Sequence, residues 1–299
     1  MKVRIGYGLG VRSRTNDQER FGALVDDLVR LDFDSLWLSD RISGDSPDPV
    51  VAMAFAAGRT RRIKFGMSVM VLPGRNPILV AKAMASLDRL SAGRLLPAFG
   101  LGVADPHEQQ AYGVERSDRG PWFDEALPLL RRFWEEEVVD HDGDHFQYKQ
   151  ITVLPKPVQQ PLDVWMGGAA PSELRRVGRL ADGWLPSYCT PEDVRAARPQ
   201  VEEAADRGGR AIDPEHFGAL VPYSADGDLP DSVVRLLATR RPGADPTSIV
   251  PVGLPRLRRH LEALIDVGAS KFVLVPTAEP ASWSDELEAV AAAVLPLQV

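Results

Sequence analysis

Residues 63–99, IKFGMSVMVLPGRNPILVAKAMASLDRLSAGRLLPAF, decide the fold. The stretch 63–72 is apolar and β-branched, as a buried strand requires. Asn76 then offers a side-chain cap, and Pro77 fills a first helical position where a missing N–H costs nothing, so a helix is predicted over 76–91. The segment 94–99 (RLLPAF) is the next strand. Strand, helix, strand is the βαβ unit, which places the two strands parallel with the helix covering them.

The same alternation runs outward in both directions. Further strands are predicted at 3–8 (VRIGYG), 35–39 (SLWLS), 162–166 (LDVWM), 183–187 (GWLPS), 216–222 (HFGALVP) and 271–275 (KFVLV). Between the first two, Asn16 or Asp17 caps a helix over 17–31, whose apolar stripe is Phe21, Leu24, Val25, Leu28 and Leu31. Eight strands, each followed by a helical pattern, predict a (β/α)8 TIM barrel rather than a doubly wound sheet. Two stretches break the rhythm. Within 139–154, Asp142-Gly143 between apolar flanks reads as a hairpin turn inserted between strands four and five. The polar segment 223–248 reads as irregular and partly mobile. Neither has the character of a linker, so one domain is expected over 1–299, with insertions on the catalytic face.

Composition narrows the function. A barrel of roughly 250 residues forms one domain, so 299 residues do not require two. A net charge of -7 argues against nucleic acid and against a polybasic membrane patch, which leaves a small molecule as the expected partner. Cys189 is the single cysteine, so no intramolecular disulfide forms, and a reducing, cytoplasmic setting is expected. The N-terminus lacks a signal-peptide layout, and no run of eighteen apolar residues occurs. His107, His141, His145, His216 and His260 lack the paired spacing of a metal site, so no metal is expected. Trp37, Trp165 and Trp184 in strands, and Trp122, Trp134 and Trp283 in helical patterns, read as packing residues.

In such a barrel the chemistry sits just beyond the carboxyl ends of the strands. Strand two ends in Ser39, Asp40 and Arg41, which equally describe an ion pair in a surface loop. Strand three ends near Ser68, Val69 and Met70. Strand four runs into FGLGVADPHEQQAYG, where Gly100 and Gly102 let a bulky group approach the backbone, or simply form a turn. Strand five leads into WMGGAAPSELRR at 165–176. There Gly167, Gly168 and Ala169 expose N–H groups at a helix N-terminus, a suitable anion seat that is also an ordinary tight turn. No nucleophile elbow, Walker loop or dinucleotide fingerprint is present.

The block at 68–102 with its LDRLSAGR motif at 87–94, together with KPVQQPLDVWMGGA at 156–169, ADGW at 181–184 and GLPRLRRHLEALIDVGASKFVL at 253–274, resembles the bacterial-luciferase-like flavin and deazaflavin oxidoreductases over nearly the whole chain. The resemblance implies coenzyme F420 at the barrel mouth, with FMN as the alternative, and a cis Ser68–Val69 peptide behind the ring. It implies a phosphate held at Gly167, Gly168 and Ala169, and a ring contact from Asp40. It admits a homodimer. Where sugar-phosphate dehydrogenases of the family carry a catalytic histidine and a glutamate, this chain has Arg41 and Val103, so another substrate is implied. Hydride transfer at the coenzyme is the expected reaction. Arg41 would bind the substrate, Asp40 would hold the ring's polar edge, and Glu108 or Tyr112 would line the far wall. An FMN-dependent monooxygenase and a non-catalytic flavin-binding barrel are the competing readings.

Overall fold

A computed structural model describes residues 1–299. The first half contains β1 (Arg4–Leu9), α1 (Gln18–Arg30), β2 (Ser35–Leu38), α2 (Pro49–Arg59), β3 (Lys64–Met67), β4 (Met70–Val71), α3 (Pro77–Leu90), β5 (Leu95–Leu96) and β6 (Ala98–Gly100). Next come α4 (Pro106–Tyr112), α5 (Arg119–Glu135), the hairpin β7 (Val139–Asp142) and β8 (Gln147–Ile151), β9 (Trp165–Met166), α6 (Pro171–Leu180) and β10 (Gly183–Trp184). The chain ends with α7 (Pro191–Arg207), β11 (Gly218–Tyr223), α8 (Asp231–Arg240), α9 (Pro246–Ile249), α10 (Leu254–Asp266), β12 (Lys271–Pro276) and α11 (Trp283–Val294).

Parallel pairing passes from strand to strand around a ring. β12 pairs with β1, β1 with β2, β2 with β3, and β3 with β5. Beyond the break in each strand, β4 pairs with β6, β6 with β9, and β9 with β10. The ring closes through parallel bridges Trp184↔Phe217 and Ser187↔Leu220, which join the β10 segment to β11, and β11 returns to β12. The predicted third and fourth strands are each two pieces. The third is interrupted at Ser68–Val69, a cis peptide as the resemblance implies. The fourth is interrupted at Pro97, which has no N–H to donate to the ladder.

Alternation in the strands sorts the side chains into two layers. Ile5, Tyr7 and Leu9 join the large outer core beneath the helices. A second cluster of Trp37, Ala98, Trp165, Leu185 and Val273 fills the barrel itself. The two indoles fit because glycine stands opposite each. A Cβ on Gly66 would overlap the Trp37 ring, and one on Gly183 would lie 2.5 Å from Trp165 Cδ2. Trp184, Trp122 and Trp134 are buried as packing residues.

The LDRLSAGR motif is structural. Asp88 is fully buried and accepts from Val158 N at 2.7 Å and from Gln159 N at 3.0 Å. Arg94 donates to Ser91 O, Thr60 Oγ1, Ile63 O, Ala57 O and Thr60 O at 2.6–3.2 Å. One guanidinium thus joins the ends of α2 and α3 to the start of β3.

Asp17 and Asn76 cap α1 and α3. The hairpin at 139–154 is present, with Gly143 N donating to Phe146 O at 2.9 Å across its turn. The expectation of an irregular 223–248 is corrected. That stretch holds α8 and α9, and the Asp and Pro residues that suggested a loop are helix starts: Pro230 and Asp231 open α8, and Asp245 caps α9 ahead of Pro246. Val233, Leu237, Ile249 and Val250 give it a small core of its own.

Arg94→Met should lower unfolding free energy by about 3 kcal/mol, because it strands several buried carbonyls, and Arg94→Lys should restore less than half. Urea denaturation at unchanged m-value measures this; a loss below about 1 kcal/mol would contradict the clamp.

Candidate active site

The carboxyl ends of the strands surround a cavity of about 550 Å³. Of the residues named from sequence, Asp40, Arg41, Ser68, Val69, Gly100, Gly102, Glu108, Tyr112, Gly167 and Gly168 line it, and Ala169 does not. The strand-end rule therefore pointed to the cavity. The roles of individual side chains differ from the expectation in several places.

Asp40 is 6% exposed and already engaged. It accepts from Val71 N at 2.9 Å, and Arg75 Nη2 donates to both its oxygens at 2.9 and 3.2 Å. Arg75 also donates from Nε to Val71 O at 2.9 Å and lies 5.6 Å from the Tyr112 ring centroid. Asp40 thus ties the end of strand two to the turn after β4. Arg75, in the PGRNP turn after strand three, was not singled out from sequence, although the strand-end rule covered it.

Glu108, named from sequence as a catalytic candidate, is held as an anchor by the loop after β2. It is 3% exposed and accepts from Ser43 Oγ at 2.6 Å, Ser43 N at 3.0 Å and Ile42 N at 3.1 Å. Burial alone would raise its pKa, but the hydrogen bonds from Ser43 and Ile42, with Arg41 alongside, outweigh burial and hold it below the usual glutamate range. A carboxylate kept ionised by fixed donors is a poor proton donor. Arg41, expected to face substrate, bridges Asp105 at 3.4 Å and Glu108 at 3.5 Å, fastening the loop after β2 to α4.

The anion seat expected after strand five is partly engaged from within the protein. Ala169 N and Ala170 N both donate to Glu173 Oε2 at 2.9 Å, so one of the three expected residues is engaged within the protein, while Gly167 and Gly168 line the cavity. A glutamate three positions into a helix reaches back naturally to these amides, and ELRR at 173–176 carried that signal.

Three residues of the wall hold buried polar atoms with no protein partner: Ser68 Oγ, Tyr112 Oη and Arg119 Nη2. Arg119, at the start of α5, is 3% exposed and has no carboxylate within ion-pair distance. Its other nitrogens donate to Leu101 O and Val103 O at 3.1 Å and to Val114 O at 3.4 Å. Sequence gave no signal for it, since it lies far beyond the end of strand four. Trp283, read as a packing residue, contributes to the cavity wall, and its indole N–H donates to Thr15 Oγ1 at 2.6 Å. No group of His, Cys, Asp and Glu side chains is arranged to hold a metal, and no helix is long and apolar enough to cross a membrane.

Residues 4–241 match the luciferase-like monooxygenase family. The chain belongs to that family. Among curated relatives, the F420-dependent glucose-6-phosphate dehydrogenase of Intrasporangium calvum is 32% identical over 218 residues, which are 65% of this chain and 64% of the relative. The chain therefore matches less than two thirds of that relative's length. Among solved structures, an F420-dependent secondary alcohol dehydrogenase in complex with an F420–acetone adduct superposes with a TM-score of 0.83 at 19% identity, covering 100% of both chains. The oxygenating constituent of 3,6-diketocamphane monooxygenase from Pseudomonas putida, in complex with FMN, superposes with a TM-score of 0.74 at 17% identity, covering 100% of this chain and 99% of that one. Both likenesses establish the barrel.

Glu108→Gln tests the anchor. Its carboxylate bonds are present above the ordinary glutamate pKa of about 4.3 and are lost only as pH falls through the lower folded value, so no limb of a pH–rate profile near neutrality belongs to it. The variant should weaken ligand binding by less than about tenfold and leave the pH profile unmoved. A shifted limb would return Glu108 to acid–base duty.

Proposed function

We propose that this chain is an F420-dependent oxidoreductase that transfers a hydride between the deazaflavin and a small organic substrate. The observation that carries the reading is the set of unpartnered buried donors on one cavity wall, Ser68 Oγ, Tyr112 Oη and Arg119 Nη2. A deazaflavin presents carbonyl and ring acceptors at its polar edge and an anionic phosphodiester in its tail, which matches a wall that offers two hydroxyls and an uncompensated guanidinium. The names of the curated relatives point the same way.

When bound, the deazaflavin supplies the hydride acceptor or donor. The protein's part is positional. Val69, Gly100, Gly102, Gly167 and Gly168 leave room for a flat ring against the backbone of strands three to five. Asp40 acts indirectly by fixing Arg75 and the Val71 amide. Burial raises the Tyr112 phenol above its ordinary value, with Asp40 adding to the effect, so Tyr112 is a neutral donor across the physiological range. Val233, Leu236 and Trp283 contribute apolar wall that excludes water from the reacting groups. The reading extends to a cytoplasmic homodimer, supported by the single cysteine and by the family resemblance.

An FMN-dependent monooxygenase is the second reading, favoured by the FMN-bound structural neighbour. Equilibrium fluorescence quenching with F420 and with FMN separates the two: preferential F420 binding is expected, and tighter FMN binding would reverse the order. Arg119→Met should weaken F420 binding roughly 10- to 100-fold, as loss of one buried charge-assisted bond predicts. An unchanged Kd would detach Arg119 from the coenzyme.

A further inference from the structure

Partners for the charged groups of the cavity wall can be traced one by one. Asp40 is paired with Arg75, and Arg41 with Asp105 and Glu108. Glu173 accepts the Ala169 and Ala170 amides, and Arg176 donates to Asp124 at 2.5 Å. Glu279 accepts from Thr15 Oγ1 at 2.9 Å and from the Arg14 amide. Every carboxylate on the wall is therefore neutralised or hydrogen-bonded within the protein. Two guanidiniums have no carboxylate partner: Arg119, deep beside strand four, which donates only to backbone carbonyls, and Arg12, exposed just after β1.

Arg12 has company of one chemical kind. Ser187 and Tyr188 follow β10, Ser232 lies in the first turn of α8, and all three line the cavity without any hydrogen bond from their hydroxyls to protein. Tyr188 holds a left-handed backbone with φ of 54°, a conformation bulky residues rarely adopt, and its ring lies under the Arg240 guanidinium, 5.7 Å from the ring centroid. Arg12 and Arg240 both act on the Tyr188 phenol electrostatically, opposing the effect of burial. In the order of the barrel, the strands feeding these residues, β10, β11, β12 and β1, are consecutive neighbours. They form the arc opposite the glycine-lined wall of strands three to five. The cavity thus has two faces: one of small residues for a flat ring, and one of free donors with a cation and no free acceptor carboxylate.

We propose that the donor arc of Arg12, Ser187, Tyr188 and Ser232 is a subsite for an oxyanion, a carboxylate or a phosphate, carried by the substrate. An acceptor-rich anion can satisfy a guanidinium and three hydroxyls together, and Arg12 is the member whose charge selects it. The assignment names the substrate class for the reaction proposed above and rests on that reading for the word substrate; the anion subsite itself does not depend on which coenzyme is present.

Inorganic phosphate is the probe, titrated calorimetrically into the full-length protein at constant ionic strength, with and without saturating F420. Arg12 is exposed, so Arg12→Met should fold normally. Phosphate should bind the wild type with or without coenzyme, Arg12→Met should weaken it about tenfold, Tyr188→Phe about threefold, and Arg12→Lys should recover part of the loss. F420 and the deazaflavin riboside that lacks the phosphate tail should both bind Arg12→Met as they bind wild type. Loss of F420 affinity alone in Arg12→Met would give the arc to the coenzyme tail and overturn the substrate assignment. Phosphate binding that is insensitive to Arg12→Met but abolished by Arg119→Met would place the anion at the deep site and overturn it equally, as would no phosphate binding at all. Failure of both deazaflavins to bind wild type, with the phosphate result intact, would fell the coenzyme reading and leave the subsite standing.

Discussion

The filling of the barrel by two indoles is the constraint on which the rest of the structure depends. Eight parallel strands enclose a volume that side chains must occupy, and here Trp37 and Trp165 occupy it against Gly66 and Gly183. Below them, Lys271 Nζ sits 5.9 Å from the Trp165 ring and 3.2 Å from Asp34, closing the amino-terminal end with a buried ion pair. Ala98, level with Trp165 in the ladder, together with Leu185 and Val273 completes the plug. The indoles fill the barrel below the cavity, and several strand ends that face it carry small residues, Ser39, Ser68, Gly100, Gly167 and Ser187. Enlarging Gly66 or Gly183 would displace an indole upward, and the loss would be felt in the cavity as much as in stability.

Features governed by neighbours in sequence were legible. Asp17 and Asn76 as caps, Pro77 as a first helical residue, the hairpin at 139–154 and the eight strands all follow from patterns within a dozen residues. The cavity location followed from the strand-end rule. Where the reading failed, a contact between distant segments had decided the matter. Glu108 was named for its position, yet its role is set by Ser43 and Ile42, some 65 residues earlier. Arg119 escaped notice because its importance lies in what it lacks, a counter-ion, and a sequence does not show absences of that kind. The 223–248 segment failed for another reason: Asp and Pro mark both loops and helix starts, and only the apolar spacing of Val233 and Leu237 distinguishes them.

The site's electrostatics oppose those of the molecule. The chain carries a net charge of -7, yet its cavity holds two guanidiniums without a counter-ion and no carboxylate that is not paired or hydrogen-bonded. Surface charges beyond about 8 Å are screened at physiological salt, so the bulk charge does not reach the ligand strongly, whereas Arg119 and Arg12 act at contact distance. An anionic ligand is thus recognised locally, after entry, rather than attracted from afar.

The same arrangement bears on where a proton for the substrate could come from. In the sugar-phosphate branch of the family the position after Asp40 is a histidine; here it is Arg41, and its guanidinium spans two carboxylates, Asp105 and Glu108. A histidine has neither the reach nor the permanent charge to hold both, so Arg41 ties the loop after β2 to α4 through Asp105 and Glu108. With the carboxylates engaged and no histidine on the wall, the protonatable groups left facing the cavity are hydroxyls: Tyr112 on the ring side and Tyr188 with its neighbouring serines on the donor arc. Hydride transfer to a carbonyl needs only a hydrogen-bond donor on the oxygen while charge develops there. Burial keeps the Tyr188 phenol neutral, with Arg240 and Arg12 opposing that effect, so it is a hydrogen-bond donor rather than a base on the donor arc.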